Sequence, residues 1–369
     1  MGVTELWEIL DAAGEIRSLL NFATIEGFQA NNRGHRALVI GVDISIRISA
    51  VVAALTKVGV LPSGPGGQSL VLEKLFYQLC NFSLAPIVLV FIFDGPGRPA
   101  MKRGTKVIYR PVWLVQHLKA MILSFGFHFY DAKAEAELGQ LSESGKIDGI
   151  ITEDSDAFVF GARCVIRTLG PSMQHSSLIY TLDTIEDTDG VSLDKDGLFL
   201  CALLLGGDYD SGILGAGPTI AHALARQGFG RKLVNILQSF HGPQLDQRLA
   251  AWRNSLRQEL RTNSSGFLGK CQPKLADAIP DTFPDLQVAR LYLNPLTSSS
   301  FGYVGHMPDP NSWKPKPIAI FELANFCSAR FGWNGENLLK KLNSKLWPAV
   351  VFRLLSSVRK SHILMFVYC

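Results

Sequence analysis

Acidic residues crowd the end of one apolar segment, the stretch GIITEDSDAFVFG at residues 149–161. Its first residues, Gly149 to Ile151, predict a buried strand, and three acids follow within the next five positions: Glu153, Asp154 and Asp156. An open α/β sheet binds its ligands beyond the carboxyl ends of its strands. Carboxylates this close repel one another, which favours either a solvated turn that caps a helix or a bound cation that neutralises them.

Acids follow other apolar runs as well. Asp43 and Asp94 each end a run that predicts a buried strand, ALVIGVD and IVLVFIFD, and Asp208 follows a buried helix that stops at glycine. Glu135 lies in the first turn of another predicted helix. Because the ends of parallel strands meet at one edge of a sheet, we expect these acids to converge there. The candidate catalytic and metal-binding residues are therefore Asp43, Asp94, Glu135, Asp154, Asp156 and Asp208.

A carboxylate cluster without histidine or cysteine selects hard cations such as Mg²⁺ or Mn²⁺ over zinc. Two such ions, about 3.5–4 Å apart, can activate a water molecule and stabilise the leaving oxygen of a phosphodiester. The acids therefore predict metal-dependent nuclease chemistry.

Strands and helices alternate from residue 38 to residue 168, which predicts a mostly parallel sheet covered by helices on both faces. Beyond that range helices dominate. The predicted strands are 37–43, 87–94, 127–130 and 149–151. The predicted helices are 6–10, 48–55, 70–80, 111–125, one that starts at 134, and then 198–207, 318–331 and 334–342, followed by an apolar tail without assignment.

A glycine-rich loop precedes a predicted helix that begins at Pro218; residues 212–221 are GILGAGPTIA. Glycines let a backbone approach a phosphate, and a helix N-terminus offers N–H groups to it, although many turns between helices need glycine for its positive φ alone. Basic side chains occur after this loop and in the segment ahead of the 111–125 helix. These residues either contact phosphates or simply form a solvent-exposed surface: Lys102, Arg103, Arg226, Arg231 and Lys232.

Composition sets wide limits. With 369 residues, 47% hydrophobic and 18% charged, the chain can bury a large core. The net charge of +4 permits a polyanionic partner without identifying one. Six scattered cysteines without a CxxC pair favour reduced thiols and an intracellular location. The N-terminus lacks the pattern of a signal peptide, and charges at Asp43, Arg47 and Lys57 interrupt the apolar run 38–61, so we predict neither secretion nor a membrane span.

The acidic blocks, in their order along the chain, resemble the signature of the XPG/flap-endonuclease family of structure-selective DNA nucleases. The similar blocks lie within residues 1–240 and are Met1-Gly2-Val3 with Leu6-Trp7, Val42-Asp43-Ile44-Ser45, Phe91-Ile92-Phe93-Asp94-Gly95, Ala134-Glu135-Ala136-Glu137, Thr152-Glu153-Asp154-Ser155-Asp156 and Gly207-Asp208-Tyr209. Only 41 residues separate Asp94 from Glu135 (135 − 94), too few for the long arch of the flap endonucleases. The chain therefore looks most like the GEN-type Holliday junction resolvases.

The resemblance implies an α/β fold of the PIN-like type: a mostly parallel central sheet with helices on both faces, a helix-two-turn-helix element that binds DNA, and C-terminal helices. Residues 1–260 would form the nuclease core, with an N-region at 1–100, a short arch at 101–126 and an I-region at 127–260 that includes the helix-two-turn-helix at about 206–240. Residues 261–345 would be a helical elaboration of this core, and residues 346–369 stay an unassigned tail.

The resemblance also implies two Mg²⁺ ions, with Mn²⁺ as an alternative, and a K⁺ ion at the helix-two-turn-helix. Asp43 would act through water or behind the direct ligands. The partner would be branched DNA (a Holliday junction, flap or fork), bound in the nucleus by a monomer that dimerises on a junction, without a membrane. The expected DNA-binding residues are Gly2, Lys102, Arg103, Gly212, Ile213, Gly215, Gly217, Thr219, Arg226, Arg231 and Lys232.

The chain departs from the family pattern at two positions. Glu5 stands where the opening block has a second glycine, and Lys133 stands where the family has the first of two metal-binding glutamates. The chromodomain-like module expected after a resolvase core is not recognisable before Cys369. Lys133 keeps a second function open, a module that binds junctions with impaired catalysis. A 5′-flap endonuclease or exonuclease is a further alternative with the same chemistry.

Overall fold

The computed structural model describes residues 2–30, 34–60, 65–94, 101–102, 105–106, 112–168, 176–300, 303 and 309–357. Its strands are β1 (Glu15–Arg17), β2 (Leu38–Asp43), β3 (Ile87–Asp94), β4 (Met101–Lys102), β5 (Thr105–Lys106), β6 (His128–Ala132), β7 (Gly149–Ile151), β8 (Cys164–Thr168) and β9 (Ser177–Thr181). Its helices are α1 (Leu6–Leu10), α2 (Leu19–Phe22), α3 (Ile44–Lys57), α4 (Pro65–Phe82), α5 (Val112–Ser124), α6 (Ala134–Glu143), α7 (Asp156–Val159), α8 (Leu182–Asp187), α9 (Lys195–Leu205), α10 (Pro218–Arg226), α11 (Phe229–Ser239), α12 (Gly242–Thr262), α13 (Pro273–Ala278), α14 (Leu286–Leu293), α15 (Ile320–Phe331), α16 (Gly335–Lys345) and α17 (Trp347–Ser357). Short 3₁₀ turns at Asp11–Ala13 and Pro310–Ser312 and a π-helical segment at Ala23–Gln29 complete the described elements.

A seven-stranded sheet of order β1-β9-β8-β7-β2-β3-β6 forms the centre of the fold. The strands from β8 to β6 pair in parallel, whereas β9 is antiparallel to both β8 and β1. The predicted strands at 37–43, 87–94 and 149–151 are present, and the third predicted strand is shifted to His128–Ala132. The prediction of a mostly parallel sheet with helices on both faces is therefore confirmed, while β1, β8 and β9 were not predicted.

Two hydrophobic clusters lie on the two faces of this sheet. Alternate residues of β3 belong to different clusters, with Val90 on one side and Phe91 on the other, because successive strand side chains point to opposite faces. Helices α1, α6, α7 and α9–α14 cover the first face, and α3–α5 with α15–α17 cover the second. Burying one large apolar side chain is worth about 1.5–3 kcal/mol, so strands that are apolar on both faces form only where both are covered.

The strand register brings the acid-bearing strand ends to one edge. Asp43 of β2 pairs with Ile92 of β3, and Val42 pairs with Ile151, the last residue of β7. Asp94 at the end of β3 pairs with Ala132, the last residue of β6. The segment that follows β7 therefore leaves the sheet beside the end of β2, and the segment that follows β6 leaves it beside the end of β3.

The C-terminal helices belong to the second face of the sheet. Leu346, Ala349 and Val350 are buried in its cluster. Arg353 of α17 donates from Nη1 to the carbonyl oxygens of Phe125 and Lys316, the latter at 3.0 Å. Part of the segment that the sequence left unassigned is thus a helix, α17, which packs against α16 and is tied to the ends of α4 and α5. The division of the chain into core, elaboration and tail stays a prediction.

The described cysteines are all free thiols, and four of the five are buried. Within the described part of the chain, no helix combines the length and the apolar character that crossing a bilayer requires.

Candidate metal and DNA site

Three carboxylates meet at the edge of the sheet where β2, β3, β6 and β7 end. Glu135, Asp154 and Asp208 each offer one oxygen, and these oxygens all lie within 4.8 Å of one another. Asp154 is buried, whereas Glu135 and Asp208 are partly exposed. Among the described residues, one group of acidic, histidine or cysteine side chains is close enough together to hold a metal ion, and it consists of these three carboxylates. A small cation can reach it from solvent.

Glycine and hydroxyl contacts fix the position of Asp154 behind β7. The Thr152 hydroxyl accepts from the Asp154 backbone N–H at 3.0 Å, and Oδ1 of Asp154 accepts from the Asp156 N–H at 3.2 Å. The Ser155 hydroxyl donates to the Val3 carbonyl at 3.2 Å. Gly2, at φ 85°, lies so close that a Cβ on it would overlap Oδ1 of Asp154. The N-terminal segment therefore forms part of the wall of the site.

Glycines also position Asp208 after α9. Gly206 ends the helix with φ 78°, and its carbonyl accepts from the Thr4 backbone N–H at 2.9 Å. A Cβ on Gly207 would overlap the Tyr292 hydroxyl and lie 3.7 Å from Oδ1 of Asp156. Side chains at positions 206 and 207 are excluded, so the chain can turn closely past the acids and place Asp208 among them.

The other predicted acids occupy different positions around this group. Asp43 is 5% exposed and its Oδ1 accepts from the Ser45 N–H at 2.7 Å, which caps α3. Asp156 begins α7 with its side chain fully buried. Asp94 ends β3, but its carboxylate lies outside the described residues. The structure thus brings three of the six candidates into one group, and the metal-binding role of all six stays a prediction.

Lys133 connects α6 to the segment after α9. It is the residue immediately before α6, and its ammonium donates to the Tyr209 hydroxyl at 3.2 Å. The same nitrogen lies 5.3 Å from the centre of the Tyr209 ring. That ring packs edge-on against Tyr292 at 5.0 Å and Phe160 at 6.4 Å. The residue that departs from the family pattern is therefore held by the side chain of Tyr209, the residue directly after Asp208.

Glu137 is a buried acid that the sequence did not single out. It accepts hydrogen bonds from the Tyr130 hydroxyl at 2.9 Å and from the backbone N–H and hydroxyl of Ser298 at 2.7 and 2.5 Å. Burial, followed by the nearby Glu137 charge, raises the pKa of Tyr130. Glu137 holds residues 295–300 against α6. The only feature of the sequence that draws attention to Glu137 is its position two residues after Glu135. On a helix, residues two apart point to different sides, so Glu137 does not face the same way as Glu135.

The glycine-rich loop lies between α9 and α10, and two further helices follow it in the order expected for a helix-two-turn-helix. Gly212 and Gly215 have φ of 73° and 91°, whereas Gly217 is extended with φ −79° and a Cβ on it would meet nothing within 4 Å. Pro218 occupies the first turn of α10, as predicted. Residues 214 and 215 at the tip of the loop are exposed, as is Thr219 at the start of α10. Ile213 is half-buried, and its carbonyl oxygen accepts a hydrogen bond from the Ala216 N–H.

The predicted basic residues of this region are exposed on α10 and α11. Arg226 lies over the Phe267 ring and Lys232 over the Phe229 ring, both at 5.4 Å. Arg231 forms an ion pair with Asp194 at 2.5 Å, which keeps it on the surface of α11. Lys102 lies in β4, but its side chain and the whole of Arg103 fall outside the described residues.

Residues 126–208 match the family model described as the XPG I-region. The chain is 27% identical over 276 residues to mouse flap endonuclease GEN homolog 1, covering 68% of this chain and 26% of that protein. It is 41% identical over 109 residues to flap endonuclease GEN-like 1 of Arabidopsis thaliana, covering 29% of this chain and 18% of that protein. The chain thus spans about a quarter or less of the length of these curated relatives.

Solved structures are similar over nearly the whole chain. A junction-resolving enzyme GEN-1 with potassium has a TM-score of 0.70 and 27% identity, covering 94% of this chain and 78% of that one. The enzyme GEN1 with product DNA and Mg²⁺ has a TM-score of 0.69 and 28% identity at the same coverage. The catalytic core of Rad2 with a DNA substrate shares the fold, with a TM-score of 0.65 and 22% identity over 94% of this chain.

Proposed function

As this chain carries an XPG I-region and is a relative of the XPG/flap-endonuclease nucleases with their PIN-like fold, we propose that it is a metal-dependent endonuclease that cuts branched DNA. One observation carries the proposal: Glu135, Asp154 and Asp208 place three carboxylate oxygens within 4.8 Å of one another. The Thr152 and Gly2 contacts hold the segment that bears Asp154, and the Gly206 contact holds the segment that bears Asp208. Fixed carboxylates cost no reorganisation when they act, which is what catalysis requires.

The donor set fits a hard divalent cation such as Mg²⁺ or Mn²⁺, because it contains only carboxylate oxygens. Glu135, Asp154 and Asp208 would hold it. A bound divalent cation supplies Lewis acidity, lowering the pKa of bound water and neutralising charge on a phosphodiester. The chain's own residues fix the three carboxylates, and Gly2 and Gly207 leave room beside them. The prediction of two ions depends on more acids than these three.

The DNA backbone would be bound at the glycine-rich loop and along α10 and α11. The exposed start of α10 offers N–H groups to a phosphate, and Gly217 leaves open space in front of them. Arg226, Arg231 and Lys232 add positive charge on the adjacent surface. The predicted K⁺ site would lie in the same loop. Contacts of this kind position a duplex without reading its sequence.

Four-way junctions are the substrate we propose first, because the short distance between Asp94 and Glu135 leaves little chain for an arch over a flap. The similar proteins named above are a junction-resolving enzyme and flap endonucleases. Dimerisation on the junction would supply two active sites for symmetric cuts, and a nuclear location would suit this substrate. A 5′-flap is the alternative substrate.

The test uses a labelled four-way junction and a labelled 5′-flap, each with Mg²⁺ and with Ca²⁺. Wild type should nick the junction in Mg²⁺ and prefer it to the flap. The double variant Asp154→Asn and Asp156→Asn keeps the side-chain shapes but removes charge, so it should bind junctions in Ca²⁺ and lose cleavage in Mg²⁺. Cleavage retained by this variant would remove the carboxylates from the mechanism.

A second function, junction binding without cleavage, is favoured by the position of Lys133. Its ammonium donates to the hydroxyl of Tyr209, the residue directly after Asp208, and so adds positive charge to a segment that bears one of the three carboxylates. Under this alternative, wild type binds four-way junctions and leaves them intact at every Mg²⁺ concentration, whereas Lys133→Glu cleaves them.

A further inference from the structure

Lys133 spans two of the three segments that carry the carboxylate group. Its backbone lies two residues before Glu135, at the start of α6. Its ammonium reaches across to Tyr209, the residue directly after Asp208. The positive charge is therefore held between the segments bearing Glu135 and Asp208, and Lys133 is partly buried.

Aromatic packing limits the freedom of this charge. The Tyr209 ring is held edge-on by Tyr292 and Phe160, and the Tyr292 ring is itself buried. A lysine whose ammonium donates to the hydroxyl of an immobilised tyrosine keeps a preferred position. The ammonium thus acts as a fixed charge of the site, in contrast to an exposed lysine that moves in solvent.

The described carboxylates include one group that can share an ion. A two-ion site needs enough carboxylates to hold cations about 3.5–4 Å apart. In the described part of the chain, three carboxylates approach closely enough for a common ion, and one oxygen of Asp43 is already engaged in capping α3. A second dication is already repelled by the charge of the first ion. A fixed ammonium nearby adds to this repulsion and so disfavours the second ion further.

We propose that Lys133 is a resident counter-cation of this site, so that the carboxylate group takes one divalent cation and not two. The inference rests on the proposed nuclease function and specifies its metal requirement. Lys133 supplies permanently one of the positive charges that a second ion would otherwise bring. Tyr209 positions that charge.

Metal binding without DNA tests this directly. Titration of the full chain with Mn²⁺, followed by electron paramagnetic resonance and calorimetry, should give about one ion per wild-type chain. Lys133→Glu adds a ligand and removes the repelling charge, so it should bind about two. Lys133→Met removes the charge without adding a ligand, so it should bind about one ion, about tenfold more tightly than wild type.

Lys146→Glu is the matched control, since it makes the same charge change at an exposed position beyond the other end of α6, and it should bind as wild type does. Thermal melting of each variant checks its folding. Two ions of similar affinity on wild type, one ion on Lys133→Glu, or an unchanged affinity for Lys133→Met would each overturn the counter-cation role. If wild type binds two ions and cleaves junctions, only the counter-cation role is overturned. If wild type binds one ion and cleaves no branched DNA, only the nuclease function is overturned.

Discussion

The backbone of Gly2 and the carboxylate of Asp154 lie so close that a Cβ atom on residue 2 would overlap Oδ1 of Asp154. The same Cβ would come within 2.7 Å of the Ser155 hydroxyl oxygen. No side chain fits between these groups while Asp154 keeps its position beside Glu135 and Asp208. A residue near the start of the chain thereby limits the position of a candidate metal ligand that comes 152 residues later (154 − 2).

We predict that Gly2→Ala weakens Mn²⁺ binding by about tenfold or more, because it displaces Asp154. Gly59→Ala is the matched control: Gly59 also has a positive φ, 78°, but its Cβ would meet nothing within 4 Å. Both variants should lose about 1–2 kcal/mol of unfolding free energy through the left-handed backbone alone. Equal Mn²⁺ affinities in the two variants would contradict the overlap at Asp154.

Glu5 stands in a left-handed conformation with φ 56° and ψ 10°, which a side chain with a Cβ disfavours. Glu5→Gly should therefore raise the free energy of unfolding by about 0.5–1 kcal/mol, after allowance for the greater freedom of glycine in the unfolded chain. Urea unfolding measures the change. Glu8→Gly, at an exposed position inside α1, should instead lower stability by about 1 kcal/mol. Loss of stability in both variants would show that Glu5 makes contacts worth more than the strain.

Gly217→Val should lower affinity for all DNA shapes by about tenfold while the chain stays folded. Its φ of −79° accepts valine, and the open space at its Cβ is where a phosphate would approach the α10 N-terminus. Gly66→Val is the control, because a Cβ there also meets nothing within 4 Å, at the start of α4. Fluorescence anisotropy with duplex and junction DNA measures both. Duplex affinity equal to wild type in Gly217→Val would remove this loop from the interface.

Acid should weaken the packing of α10 through His222. Burial lowers the pKa of His222 from 6.5, and its Nε2 lies 2.6 Å from the Val191 carbonyl oxygen. Below pH 6.5 the His222 side chain binds a proton more readily in the unfolded chain than in the folded one. The contribution of neutral His222 to the free energy of unfolding is therefore present above pH 6.5 and is lost as the pH falls. Urea unfolding at about pH 7.5 and 5.5 should show a smaller loss for His222→Gln than for wild type. His241→Gln, at an exposed position, should behave as wild type.

Local patterns were sufficient to predict the strands that carry the acids. Runs such as IVLVFIFD have little alternative to a buried strand, and parallel order then brings Asp43, Asp94 and the acids after β7 to one edge. The start of α10 at Pro218 was equally predictable, because proline favours the first helical turn.

Long-range partners could not be predicted in this way. Nothing local to Lys133 indicates that its ammonium binds Tyr209, 76 residues later. The short antiparallel strands β1 and β9 have mixed composition and are stabilised mainly by pairing with each other and with β8. Glu137 is a further example, since its role depends on Ser298 rather than on its neighbours. Each of these features depends on which segments the complete fold brings together.

Arg353 has a consequence for biosynthesis. It donates to Phe125, Lys316 and Ser83, and so joins α17 to residues at the ends of α5 and α4, which are made much earlier. All three carboxylates have been translated by residue 208, yet Arg353 is added only after 145 more residues (353 − 208). At about 5–20 residues per second the interval is roughly 7–30 s. During it the nascent chain exposes the apolar surface of α4 that α15 and α16 cover in the complete fold, and chaperones can bind there.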